Sequence, residues 1–387
     1  MLTIIIFLLI LSVLVLVHEL GHYFAARAFG VKADEFGYGF PPRLFGLVRV
    51  DGKWKFVSSR DNHAYKNTVW SLNWLPLGGF VRLKGEEGDG KDGTDSFVSK
   101  KPYKRLIIIA AGVAMNWLLT ACIFSGGFMF GVPAQLESLP ADARVRNEQV
   151  QMTDVMASSP AEKAGILPGD YLISVQGQPV TKMADAKDRL AEASKNLKPY
   201  SVTVEQDGAR KDLFVTPVFL SEIQRPGIGI SMADVGIVQF PFFQAIGQGF
   251  RVAWGYTETI AVSLYGLVRD LFVQHRLTSE VSGPVGIAVV TYRIVHQGVW
   301  NILQFTALLS LNLAVINFFP IPALDGGRAV LIVMEWLRRK KIHPKFEANL
   351  HRIGFALLMI LIVLVTVHDV RQYGGVIVGG IRHIVGM

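Results

Sequence analysis

The chain has 387 residues, 51% of them hydrophobic and only 18% charged, with a mean hydropathy of +0.36. That is too apolar for an ordinary soluble protein. The formal charge of +8, without a dense Lys/Arg stripe among aromatics, reads as membrane-loop bias and excludes a nucleic-acid footprint. The one cysteine, Cys122, rules out an intramolecular disulfide and a cysteine-based metal site.

The first element is an apolar run over residues 2–29. It has no basic region before it and no small-residue cleavage site after it, so it reads as a retained transmembrane helix rather than a signal peptide. Near its end stands His18-Glu19-Leu20-Gly21-His22. On a helix, H-E-x-x-H puts two imidazoles at i and i+4 on one face, where both can hold one zinc ion. The glutamate between them suits a general base toward the attacking water. The helix is apolar all round, which sets this chemistry inside a membrane.

Residues 31–105 form a loop with 14 Lys/Arg against 9 Asp/Glu. A second apolar segment covers 106–132. Residues 133–300 carry 15 Lys/Arg against 17 Asp/Glu. Within them, Ser158-Ser159-Pro160-Ala161-Glu162-Lys163-Ala164-Gly165 leads through Pro168-Gly169-Asp170 into Tyr171-Leu172-Ile173-Ser174-Val175. The pattern predicts a short helix, a turn and a strand. An amphipathic helix over 184–196 follows, then strands 201–206 and 213–217 joined through a turn at Asp207-Gly208. This compact domain, 140–220, resembles bacterial PDZ domains, which bind extended peptides by strand addition. An aromatic-rich helix over 242–272 carries Arg251, Glu258, Arg269 and Asp270 and reads as interfacial. Residues 274–300, with Ser282-Gly283-Pro284-Val285-Gly286, form a link. A third span over 302–325 ends in Asn317-Phe318-Phe319-Pro320-Ile321-Pro322-Ala323-Leu324-Asp325-Gly326-Gly327. A loop over 326–352 has 7 Lys/Arg against 2 Asp/Glu, and a fourth span covers 353–369.

These elements describe a polytopic α-helical membrane protein of about four spans, with an inserted mixed α/β domain and a small cytoplasmic β region. The positively charged stretches 31–105 and 326–352 are assigned to the cytoplasm, the 140–220 domain and both termini to the exoplasmic side. An aspartate at the end of an apolar span is costly and usually functional. Catalytic zinc commonly takes three protein ligands, and His18, His22 and Asp325 make such a set. Spans one and three run in the same direction by charge, so all three residues fall toward the cytoplasmic side.

H-E-L-G-H in the first span, N-x-x-P-x-P-x-L-D-G in a later one and an inserted PDZ-like domain resemble the site-2 protease family of intramembrane zinc metalloproteases. The likeness is greatest to its regulator of sigma-E protease group, here with a single PDZ domain. The resemblance implies Zn2+ held by His18, His22 and Asp325, Glu19 as the catalytic acid/base, and Asn317 handling substrate beside the site. It also implies that Phe36-Gly37-Tyr38-Gly39-Phe40 forms a membrane re-entrant β-loop. The segment with Gly78, Gly79 and Phe80, running to Leu83, would be an edge strand that holds substrate. Asn116 falls in a string similar to the family's second-span G-P-x-x-N, with Val113 where proline is usual. Asn317 and Asn116 could equally be hydrogen-bond glue between helices. The implied substrates are transmembrane segments of single-span proteins, anti-sigma-factor-like or signal-peptide remnants, cut in regulated intramembrane proteolysis at a bacterial inner membrane. A peptide would occupy the PDZ-like domain, and no nucleic acid is expected. A non-enzymatic membrane scaffold is opposed by the intact set of four chemical residues. A metal transporter is opposed by one confined cluster and only four spans. His368-Asp369 has no third partner and receives no role.

Overall fold

The computed structural model describes residues 2–61, 63–86, 93–137, 139–140, 143–206, 208–220, 224–273, 283–295 and 298–385. Asp207, His275, Ser282 and His296 lie outside them. In chain order the elements begin with α1 (Leu2–Ala28), β1 (Ala33–Val50), β2 (Lys53–Ser58), β3 (Val69–Leu83) and α2 (Pro102–Phe130). Next come β4 (Val132–Gln135), β5 (Arg144–Val155), α3 (Pro160–Lys163), β6 (Tyr171–Val175), β7 (Gln178–Pro179), α4 (Met183–Ser194), β8 (Tyr200–Gln206) and β9 (Ala209–Val215). The remainder is β10 (Val218–Leu220), β11 (Arg225–Gly227), β12 (Ile230–Gln239), α5 (Phe242–Val273), α6 (Pro284–Val295), α7 (Val299–Phe318), α8 (Asp325–Arg338) and α9 (Pro344–Val385). The chain divides into two compact units, Ser125–Gln248 and the remainder.

Four helical stretches are long and apolar enough to cross a bilayer: Thr3–Ala28, Pro102–Phe130, Val299–Phe318 and Lys345–Arg371. They overlap the four expected apolar segments, but α9 begins at Pro344, inside the expected loop 326–352, and the third span is shorter than expected. The third helix stops at Phe318 and does not reach Asp325. Pro320 drives the residue before it out of the helical region, and Phe319 sits at φ −67°, ψ 146°. The chain crosses an irregular stretch and restarts at Asp325, the first residue of α8. A carboxylate at that position faces the positive end of the helix dipole. Residues 326–338, expected as loop, are therefore helix. Gly326, Gly327, Leu331 and Ile332 are buried, and together they hold this helix against the rest of the unit. The basic run Arg338-Arg339-Lys340-Lys341 follows at its C-terminus, where cations suit the dipole. The expected link 274–300 likewise contains α6. Asp369, 1% exposed, accepts hydrogen bonds from the amides of Gly283 (3.2 Å) and Gly286 (2.7 Å) and so caps that helix.

In the membrane unit, β2, β1 and β3 form one antiparallel sheet in that order. Both β1 and β3 bend, so the first half of β1 lies between the two halves of β3. Gly37 pairs with Phe80 on one side and with Ser71 on the other. Residues 79–83 pair with β1 alone, and no strand among the described residues pairs with their other edge. Leu83 is anchored in a buried cluster with Ala26, Ile108 and Ile332, which ties the strand to α1, α2 and α8. α1 also packs against β3, α6 and α7.

The other unit carries a seven-stranded sheet, ordered β4-β12-β5-β6-β8-β9 with β7 beside β6. The expected helix–turn–strand is present. Ser159 caps α3 by accepting from the Glu162 amide, with Pro160 at the first helical position. Val150, Ile166, Leu172, Val202 and Val204 are fully buried in its core with Leu190 of α4. The unit is larger than 140–220 because β4 and β12, distant in sequence from the PDZ-like string, complete the sheet on β5. Residues 230–233 have no strand on their outer side among the described residues, and the Asp234 carbonyl accepts from the Leu136 amide at 2.9 Å. A groove of about 350 Å³ beside 230–233 is lined by Leu190, Ser194, Ile230 and Met232.

Candidate metal centre

The helical repeat puts His18 and His22 on one face of α1, as the spacing requires. Their Nε2 atoms are 3.2 Å apart, with ring centroids at 4.8 Å. Asp325, from the first turn of α8, brings Oδ2 to 3.0 Å from His18 Nε2 and 3.3 Å from His22 Nε2. The three side chains are only 9, 12 and 19% exposed. Oδ2 is buried and makes no hydrogen bond despite these approaches. An unsatisfied buried carboxylate oxygen facing two imidazole nitrogens is costly unless something cationic sits between them. A tetrahedral zinc with bonds of roughly 2.0–2.1 Å separates its ligand atoms by about 3.3 Å. The observed triangle has that edge, so the donor set and its geometry fit zinc. Among the described residues this is the one cluster of three such groups able to hold a metal.

The imidazoles are oriented from behind. His22 Nδ1 lies 2.9 Å from the carbonyl of Ile108 and donates to it, which leaves Nε2 as the free lone pair. Asn116, 0% exposed on α2, lies 3.5 Å from His18 Nδ1. Its Oδ1 is buried without a partner. With the amide turned so that Oδ1 accepts from Nδ1–H, both demands are met and His18 also presents Nε2. Two glycines allow the approach of α1 to α2. A Cβ on Gly21 would lie 2.3 Å from the carbonyl oxygen of Ala111, and one on Gly112 would lie 2.3 Å from His22 Nε2. Sequence patterning gave no warning of either requirement, because only the packing of α2 on the H-E-x-x-H face creates it.

Glu19, adjacent in sequence, points to the sheet. Its Oε2 accepts a hydrogen bond from the amide of Val81 at 2.9 Å. The 78–83 segment therefore lies beside the acid/base candidate with its open edge toward it. Gly78, Gly79 and Phe80 belong to this strand rather than to the metal site itself. Asn317 shares with Asp325 an apolar cavity of about 370 Å³, lined also by Ala110, Val113, Ala329 and Val330. The re-entrant candidate 36–40 forms the central strand, and Tyr38 reaches Ser12 of α1 at 2.6 Å. Further along β1, Arg43 holds both oxygens of Glu35, at 2.9 and 2.7 Å. Burial pushes the Glu35 carboxyl up, but the Arg43 contacts outweigh it and hold it below the ordinary value.

Comparison with known proteins identifies the family. The profile of peptidase family M50 matches residues 6–59 and 61–361. The chain belongs to that family, the site-2 proteases, and is a zinc metalloprotease. Two relatives whose names carry the words zinc metalloprotease come from Clostridium perfringens and Rhizobium meliloti. The first is 33% identical, over 94% of this chain and 97% of its own. The second is 30% identical, over 95% and 96%. The regulator of sigma-W protease RasP of Bacillus subtilis is 27% identical, over 96% of this chain and 98% of its own.

Proposed function

We propose that this M50 protease cuts transmembrane segments of single-span membrane proteins, with His18, His22 and Asp325 holding zinc and Glu19 moving the proton. The observation that carries the reading is the meeting of three ligand atoms, 3.0–3.3 Å apart, beside an edge strand whose Val81 amide holds Glu19. Bound there, zinc would supply Lewis acidity toward the scissile carbonyl and the attacking water. Glu19 takes a proton from that water and returns it to the departing amide nitrogen. The substrate must first leave its helix, since helical carbonyls are hydrogen-bonded and crowded. Extended pairing against the open edge of 79–83 holds it unwound through backbone bonds that need no particular sequence. Asn317, which lines the same cavity as Asp325, handles the chain beyond it, and Asn116 orients His18.

Charge bias supports a cytoplasmic-side active site, with the termini and the PDZ-like domain exoplasmic. A peptide added along 230–233 beside α4 suits that domain, and α5 suits the interface. The name of RasP supports membrane-anchored regulators of sigma factors as one substrate class in a bacterial inner membrane; signal-peptide remnants are another. The test is Glu19→Gln, reconstituted with a single-span substrate. Cleavage should vanish with zinc retained; unchanged cleavage would remove Glu19 and the reading with it.

A further inference from the structure

We propose that Glu86 fixes the register of the incoming strand, and so decides which peptide bond reaches His18, His22 and Asp325. The inference rests on the edge-strand reading above and adds a specificity-determining residue to it. Backbone amides in an antiparallel strand point alternately to either side. The amide of Lys84 points inward, to the carbonyl of Lys32 at 2.9 Å. The amides of Val81 and Leu83 therefore point to the open edge, and each is met by a carboxylate. Val81 donates to Glu19 Oε2 at 2.9 Å, and Leu83 donates to Glu86 Oε2 at 3.3 Å.

Glu86 reaches that amide through a turn. Its own amide donates to the carbonyl of Leu83 at 3.2 Å, with Gly85 at φ +73° inside the turn. The side chain thus folds back onto the edge where a substrate carbonyl would otherwise bond. Its second oxygen is held as well, because Oε1 is ion-paired with Nη1 of Arg328. Arg328 lies on the first turn of α8, three positions after Asp325. One end of the edge strand is therefore stopped by a side chain tied to the helix that carries a metal ligand.

An added strand cannot take the Leu83 amide without displacing the Glu86 carboxylate, which Arg328 holds by its other oxygen. Pairing along the edge accordingly stops short of Leu83, with the Val81 amide held by Glu19 and the Leu83 amide by Glu86. A slip of one residue would turn every side chain to the other face. The neighbouring permitted register is two residues away, roughly 6.8 Å along the strand. That step would carry a different peptide bond to the metal ligands. Glu86 acts on the choice of bond rather than on the chemistry, so it is a positioning residue.

The experiment uses full-length, zinc-loaded protein in liposomes and a synthetic single-span substrate of Leu, Ala and Gly whose fragments differ in mass at every bond. The wild type should cut one dominant bond. Glu86→Ala should add a second product pair displaced by two residues, at least tenfold above its wild-type level. Glu86→Gln keeps an acceptor for the Leu83 amide and should keep the wild-type bond. Should Glu86→Ala lose its zinc and fold, Arg328→Met, which unties Glu86 from the other side, should give the same displaced pair in smaller amount. A purely structural role would lower the rate without moving the cut. A single unchanged cut in Glu86→Ala, or in Arg328→Met where Glu86→Ala does not fold, overturns the proposal while leaving the protease site intact. Products that persist in Glu19→Gln, or none from the wild type, overturn the site and this inference together.

Discussion

Gly112→Ala probes the metal centre through packing alone, since it removes no ligand. The added Cβ would stand 2.3 Å from His22 Nε2 and 2.9 Å from His18 Cε1, where ordinary contact begins at 3.4 Å. The imidazole must retreat by about 1 Å, against a tolerance of roughly 0.2 Å in a metal–ligand bond. Moving α2 away instead gives no relief. The Ile108 carbonyl that holds His22 Nδ1 at 2.9 Å belongs to the same helix, one turn earlier, and would move with it. Loss of ligand orientation alone costs roughly 10–100-fold in metal affinity, and displacing the ligand atom itself puts this variant at or beyond the upper figure. The measurement is zinc per protein after equilibration with graded zinc-buffering chelators, alongside cleavage of a single-span substrate. Gly126→Ala on the same helix is the control: nothing lies within 4 Å of its added Cβ. It should bind zinc normally and gain about 0.5–1 kcal/mol of helix stability. Wild-type zinc affinity in Gly112→Ala would refute the argument that α1 and α2 are in contact through this site.

Two further outcomes follow from the same structure. Leu172→Ala empties a position that is 1% exposed in the core of the 125–248 unit. It should destabilise that unit by about 2–5 kcal/mol, raising protease susceptibility within 144–239 while zinc content stays at the wild-type level. Glu35 has a carboxyl held below its ordinary value of 4.5, so the stability it contributes is present above that pH and is lost as the pH falls through the lowered value. Amide exchange over 33–50, corrected for intrinsic rates, should accelerate on acidification below about pH 4.5. Glu35→Gln should remove that dependence.

The sequence alone determined what local repetition can encode. Helical periodicity puts His18 and His22 on one face whatever surrounds them, and apolar length marks the spans. Ser159, Pro160 and Gly165 carry their own cap and turn chemistry, so the PDZ-like string is legible without its sheet. Charge bias sufficed to place Asp325 on the same side as the H-E-x-x-H motif. Pro320 and Pro322 mark the break in the sequence, but the restart of helix at Asp325 was not legible, because it depends on how 319–324 packs. The same holds for everything that faces across elements. The Val81 amide on Glu19, the Ile108 carbonyl behind His22, the small residue required at 112 and the Glu86–Arg328 pair join residues far apart in the chain. Such contacts leave no period in the sequence. Only the crossing of α1 over α2 and the bend of β3 back to α8 create them, and those crossings decide where the metal ligands and the open edge strand meet.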